Sequence, residues 1–169
     1  FTQYAASIAQ RRAEFLQTNQ QCIKNLYESL AGKNTQLSIE YNAAAAPENY
    51  DQILFDRLSK SREYEIAAGF TSTGPHREDF TIFLHDQPAI KIASRGEMRT
   101  IMLAFKLLEL ELQTKINQSR PLILLDDVFS ELDATREKLL QETIQNHQFI
   151  VTTTDARHQK DGCLIISTQ

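Results

Sequence analysis

Leu122-Ile123-Leu124-Leu125-Asp126-Asp127, followed at once by Val128-Phe129-Ser130-Glu131-Leu132-Asp133, decides how the rest of the chain reads. Four apolar residues in unbroken succession have strand length, and continuous rather than alternating apolarity predicts a central strand of a parallel sheet, covered on both faces. Asp133 is a suitable N-cap for a helix over Ala134 to Asn146, with Leu139, Leu140 and Ile144 inward. Phe149-Ile150-Val151 then opens a second buried strand that ends in Thr152-Thr153-Thr154-Asp155, and Gly162 to Ser167 reads as a last strand. Strand, helix and strand joined by short connections make a βαβ unit, so the fold class is α/β with a parallel-sheet core and flanking helices.

The paired carboxylates carry the chemistry. Asp126 and Asp127 stand just past the carboxyl end of the strand, the edge at which open α/β sheets bind ligands. Two adjacent carboxylates repel, and a cation, or a network ending on one, would offset that charge. The plainer alternative is a solvated turn after a strand, or an aspartate capping the next helix. Upstream, Ser94-Arg95-Gly96-Glu97 begins a long helix reaching about Asn117, whose apolar residues nearly surround it and predict a mostly buried helix. A glycine at a helix N-terminus lets backbone N–H groups approach an anion, which the helix dipole favours, and Ser94 adds a hydroxyl.

Before that helix, Thr81 to Leu84 reads as a strand, His85 to Pro88 as a turn and Ala89 to Ile92 as a returning strand, together a hairpin. Thr71 to Phe80 reads as a loop. Phe1, Tyr4, Ile8, Phe15, Cys22, Ile23, Leu26 and Leu30 fall on one helical stripe, interrupted by Arg12 and Asn19, with Gly32 as the stop. Leu37 to Tyr41 alternates as a half-buried strand, and Pro47 opens a helix running to about Tyr64. A composition change near residues 64–69 suggests a helical segment, 1–63, before a mixed α/β lobe, 64–169.

Eighteen Lys and Arg against 22 Asp and Glu give a formal charge of -4, which argues against a generally basic nucleic-acid coat protein. No apolar run is long enough for a transmembrane helix. Cys22 and Cys163 stand far apart without a Cys-x-x-Cys pair, so a disulfide framework and a zinc site are poorly supported and a cytosolic setting is expected. The first residue is Phe1, and with helical pattern from the start this suggests a piece of something longer.

Taken in order, these segments resemble the motifs of the ABC-type ATPases in their DNA-repair form, most closely the RecF family. Ser94-Arg95-Gly96-Glu97-Met98-Arg99-Thr100 is similar to the signature, Leu122 to Asp127 to the Walker B strand, and Ser130-Glu131-Leu132-Asp133 to the D-loop. Thr152 to Asp155 is similar to the switch segment, and Thr73-Gly74-Pro75-His76-Arg77-Glu78-Asp79 strengthens the match. The resemblance implies that 1–63 is a helical insertion and 64–169 a lobe of an ATPase head. It implies that Asp126 holds Mg²⁺ through water and that Asp127, one methylene shorter than the glutamate of related enzymes, polarises the attacking water. Ser94, Gly96, Glu97 and Arg99 would meet the γ-phosphate bound by the other subunit of a dimer, with Ser130 and Asp133 at the same interface. Thr154 and Asp155 would form the switch, a hydroxyl replacing the imidazole common in relatives. Arg95 replaces a small or amide residue. His76 and Arg77 could contact DNA or nucleotide, or Arg77 could simply pair with Glu78 or Asp79; His158, Arg157 and Lys160 read as a solvated basic loop.

The implied activity is Mg²⁺-dependent ATP hydrolysis in DNA replication, repair and recombination, including the SOS response. The implied partners are DNA at single-strand gaps and junctions, a second copy held by ATP, and a RecR-type recombination mediator, all in the cytoplasm. No Gly-x-x-x-x-Gly-Lys-Ser/Thr occurs in the 169 residues. A P-loop supplies the backbone donors and the lysine that hold the β- and γ-phosphates. The chain is therefore expected to be a C-terminal portion that binds ATP poorly alone, with no tightly held cofactor. Two other readings stand beside this one: a scaffold module that engages DNA or repair partners without catalysis, and a self-contained Mg²⁺-dependent phosphohydrolase using Asp126 and Asp127 with Asp155 and Glu97.

Overall fold

The computed structural model describes residues 1–154, the side chains of Ser130 and Glu131 excepted. Ten elements run in the order α1 (Thr2–Ala31), β1 (Leu37–Asn42), α2 (Tyr50–Ala68), β2 (Asp79–Leu84), β3 (Gln87–Pro88), α3 (Ala89–Ile92), α4 (Arg95–Asn117), β4 (Ile123–Asp126), α5 (Ala134–Ile144) and β5 (Phe149–Thr152). Short 3₁₀ turns at Pro47–Asn49 and Val128–Glu131 precede α2 and follow β4. The expected α/β class holds. The expected strand at Gly162 to Ser167, Cys163 and the basic cluster at Arg157, His158 and Lys160 lie outside the described residues.

β1 and β2 pair antiparallel from Leu37↔Leu84 to Asn42↔Asp79, and β2 turns into β3 through His85 and Asp86. Both turn residues have positive φ, 49° and 61°, as a two-residue hairpin of matching twist requires. This sheet joins residues on either side of the composition change near 64. The hairpin is there, but its second arm is short: Ala89 to Ile92 is a helical turn, not a strand. Pro88 has no N–H to donate and Phe83↔Pro88 is among the last paired positions, so the ladder ends and the chain folds back, burying Ala89.

β4 and β5 pair parallel, from Ile123↔Phe149 to Asp126↔Thr152, with α5 as their crossover. This is the expected βαβ unit. Its sheet is covered on one face only: Leu122 and Leu124 are 50% and 69% exposed, Ile150 is 56% exposed, and Ile123, Leu125 and Val151 pack against the core. The expectation of a strand buried on both faces is therefore corrected for the described residues. The strand carries an apolar outer face that these residues do not cover.

The main core lies where α1 crosses α4 and meets β1 and α5, with Ile23, Tyr27, Leu30, Ile101, Ala104, Leu140 and Ile144 at its centre. α4 buries one stripe, Ile101, Ala104, Leu107 and Leu108, while Met102 and Ile116 are exposed, so it is half-buried rather than surrounded. α1 also sits differently from the stripe expected. Phe1, Tyr4, Ile8 and Phe15 face solvent, and Ala5, Ala9 and Leu16 are buried instead. Ala5 and Ala9 form a second small cluster with Tyr50 and Leu54 of α2. α1 ends at Gly32 and α2 at Gly69, both left-handed caps. No helix among the described residues is long and apolar enough to cross a membrane.

Candidate phosphate and metal site

Asp126 ends β4 and Asp127 leaves it in the left-handed region, at φ 48°. That conformation is unfavourable for a side chain bearing Cβ, though aspartate tolerates it better than most, and it is found at sites where the chain must aim a group. The Asp127 N–H, set by the preceding peptide, still faces β5 and continues the parallel ladder. The N–H donates to the Thr152 carbonyl at 3.1 Å and lies 3.0 Å from the Thr152 hydroxyl. The same hydroxyl donates to Asp126 Oδ1. Thr152 thus clamps both residues of the acidic pair, and both carboxylates remain exposed. Sequence reasoning passed over Thr152 in favour of Thr154; the signal was present in the parallel register, which puts the first threonine of the run opposite Asp126. Thr154 is exposed, and Asp155 lies outside the described residues.

Among the described residues no three His, Cys, Asp or Glu side chains gather as a metal cage. An exposed Asp126 with one oxygen held by a hydroxyl suits Mg²⁺, which keeps most of its water and binds through one or two carboxylates together with substrate phosphates.

Ser94 is the N-cap of α4 in a reciprocal capping box. Its hydroxyl accepts from the Glu97 N–H at 3.2 Å, while Glu97 Oε2 accepts from the Ser94 N–H at 3.0 Å and the Ser94 hydroxyl at 2.9 Å. These bonds, together with Lys33 Nζ at 3.4 Å, hold the Glu97 carboxyl below its ordinary range. Gly96 has open space where a Cβ would stand. Nothing among the described residues demands glycine in this helix turn, where it costs about 1 kcal/mol relative to alanine. Arg99 is exposed on the same helix.

Asp133 caps α5, accepting from the Arg136 N–H at 3.0 Å and pairing with the Arg136 guanidinium. The backbone bond from Arg136 holds its carboxyl below the usual value. The Ser130 side chain lies outside the described residues.

His76 and Arg77 sit on the loop between α2 and β2, both exposed. The His76 ring contacts the Thr71 carbonyl at 3.1 Å. Arg77 Nε donates to that carbonyl at 3.3 Å, and its guanidinium lies 5.1 Å from the centre of the Phe70 ring. The alternative in which Arg77 pairs with Glu78 or Asp79 does not hold. Glu78 is taken by Tyr41, Tyr50 and the Ala44 N–H, and Asp79 by the Phe80 N–H.

No family model matches the chain. Curated relatives called DNA replication and repair protein RecF do. The protein from Lachnoclostridium phytofermentans is 34% identical over 151 residues, 89% of this chain and 41% of the relative. The one from Chlorobium phaeobacteroides is 37% identical over 169 residues, 95% of this chain and 46% of the relative. Among solved structures, the recombination mediator protein RecF bound to ATP, in the RecFOR pathway, superposes with a TM-score of 0.77 at 30% identity, over 95% of this chain and 44% of that one. The chain spans less than half the length of these relatives. In sequence and in fold alike, this chain is RecF-like along nearly its whole length and corresponds to under half of a RecF protein.

Proposed function

We propose that this chain is the part of a RecF-like DNA-repair ATPase that brings the acidic pair and the signature turn, while the nucleotide-cradling P-loop comes from a further stretch of the polypeptide. The observation that carries this is the Thr152 clamp on Asp126 and Asp127 at the exposed carboxyl end of a parallel strand. Such an arrangement has no evident role in stability, since it gathers negative charge at the surface. Two further features support it. Leu124 and Ile150 are paired neighbours on the bare face of the sheet, next to Asp126 and Thr152, and parallel sheets are normally covered on both faces. Whatever covers them borders the carboxylates. Gly96 lies in open space at the start of α4, as a surface approached closely by phosphate from outside would require.

In this reading Asp126 is the carboxylate that holds Mg²⁺ through water; when bound, the ion offsets charge on the β- and γ-phosphates. Asp127 orients the water that attacks the γ-phosphate and accepts its proton. Its backbone, pinned to Thr152, fixes where the short carboxylate points. Ser94, Gly96, Glu97 and Arg99 meet the nucleotide of a second copy, Glu97 chiefly by holding Ser94. Ser130 and Asp133 lie at that interface, Thr154 and Asp155 follow the state of the nucleotide, and Arg77 with His76 meets a phosphate of DNA or nucleotide. The setting is ATP-dependent dimerisation on gapped DNA in the cytoplasm, with a RecR-type mediator as partner.

The test is Asp127→Asn in the full-length polypeptide that contains this chain. ATP-dependent dimerisation should persist and turnover should stop; normal hydrolysis would remove Asp127 from its role. The isolated chain, titrated with labelled ATP and Mg²⁺, should bind weakly. Micromolar affinity would overturn the division of the site between two stretches of polypeptide.

A further inference from the structure

Glu78 accepts hydrogen bonds from three different residues, and none of these partners is a cation. One oxygen accepts from the Tyr50 hydroxyl at 2.7 Å and the Ala44 N–H at 2.6 Å, the other from the Tyr41 hydroxyl at 2.5 Å. The donors come from the start of α2, the β1–α2 connection and β1, while Glu78 itself directly follows Arg77. From α1, the Arg12 guanidinium donates to the Pro75 carbonyl. Four segments therefore grip the two ends of a four-residue stretch, Pro75 and Glu78, and leave His76 and Arg77 outside. Gly74 tightens the stretch further. Its φ is 132°, and a Cβ there would stand 3.3 Å from the His76 ring.

What this frame presents is a guanidinium without a carboxylate. Arg77 is exposed, rests on the Phe70 ring, uses Nε on the Thr71 carbonyl, and has no ion-pair partner among the described residues. Stacking on the ring and one fixed N–H restrain the planar fork of an exposed side chain, so its terminal donors can meet a ligand at little entropic cost. A fixed, unpaired fork of that kind matches a phosphate bidentately.

We propose that Glu78, held by Tyr41 and Tyr50, and Arg12, through Pro75, are positioning residues that lock the Gly74–Arg77 turn so that the Arg77 guanidinium is aimed at a phosphate. The inference rests on the proposed role of Arg77 as a phosphate contact. The phosphate can belong to a DNA backbone or to a nucleotide, and the two sources separate experimentally.

In the full-length polypeptide, Arg77→Ala, Glu78→Gln, Glu78→Ala and the Arg77→Ala/Glu78→Ala pair are compared. The readouts are affinity for a gapped duplex across a salt series, affinity for ATP with Mg²⁺, and thermal melting. Arg77→Ala should weaken one of the two ligands about ten-fold, the loss of one charge-assisted contact. If that ligand is DNA, the slope of log affinity against log salt should fall by about one. Glu78→Ala should lower the same affinity and slope, Glu78→Gln, which keeps an acceptor oxygen, should do so less, and the pair should bind no worse than Arg77→Ala alone. An Arg77→Ala protein that binds DNA and ATP normally overturns the phosphate reading itself. A weakened Arg77→Ala protein beside an unaffected Glu78→Ala protein, or additive losses in the pair, overturns the positioning role and leaves the phosphate reading standing. Should Glu78→Ala fail to fold, Glu78→Gln paired with Arg77→Ala supplies the same cycle.

Discussion

The Thr152 hydroxyl donates to Asp126 Oδ1 while lying 3.0 Å from the Asp127 N–H, so one side chain at the end of β5 fixes both acidic residues at the end of β4. Parallel pairing makes this possible because Asp126 and Thr152 are direct neighbours and point to the same face.

Replacing Thr152 by valine keeps the shape and removes the hydroxyl. The fold should persist, since Thr152 is exposed. ATP turnover by the full-length protein should fall about ten-fold, the lower end of what loss of a residue that orients a metal ligand costs. Steady-state hydrolysis, with melting as a control for folding, checks this; unchanged turnover would make the clamp purely structural.

Tyr27 is fully buried in the core, and its hydroxyl has no partner among the described residues. Burial also pushes its phenol up, with the nearby Glu97 charge adding to the effect. Tyr27→Phe removes an unsatisfied group and leaves the ring packing intact. It should be neutral or stabilising by up to about 1 kcal/mol. Denaturant unfolding reads the change, and a clear loss of stability would mean that the hydroxyl has a partner in solution.

The Tyr50 site makes stability depend on pH at the alkaline end. Burial, then the hydrogen bond to Glu78 and its charge, pushes the Tyr50 phenol well above its ordinary value of 10.0, and Tyr41 is raised for the same reasons. A raised folded pKa means that the folded chain holds the proton more tightly. The stability this contributes is complete below pH 10 and is lost as pH rises through the folded value. Melting temperature should therefore drop above pH 10, and Tyr50→Phe should flatten that drop.

The capping box of α4 carries the opposite sign. The Glu97 carboxyl lies below its ordinary 4.5, held first by the Ser94 N–H and then by the Ser94 hydroxyl. Its contribution is present above pH 4.5 and fades as pH falls through the lower folded value. Glu97→Gln should make melting less sensitive to pH in that acid window. Ser94→Ala should cost about 1 kcal/mol at neutral pH, the usual worth of an N-cap.

Much of this architecture is local and so was legible in the sequence. Leu122 to Asp127, Asp133 and Phe149 to Thr152 give the βαβ unit because strand length, cap and strand length are written within about 30 residues, the size of such a unit. Ser94-Arg95-Gly96-Glu97 marks the start of α4 from the sequence alone, and the structure adds the reciprocal capping box. Strand ends place Asp126 and Asp127 at the ligand-binding edge without reference to anything distant.

Tertiary structure alone decided the rest, because the interactions cross long stretches of chain. Periodicity gives α1 its helix but not its phase. Large residues at Phe1, Tyr4 and Ile8 are left outside, and Ala5 and Ala9 go in, where they pack with Tyr50 and Leu54 of α2. The Thr152 clamp depends on the register of β5 against β4, and the Glu78 frame on Tyr41 and Tyr50 arriving 37 and 28 residues away. A sequence states what each segment can form and which chemistry it carries; which side chains meet is set by the three-dimensional packing that closes those separations.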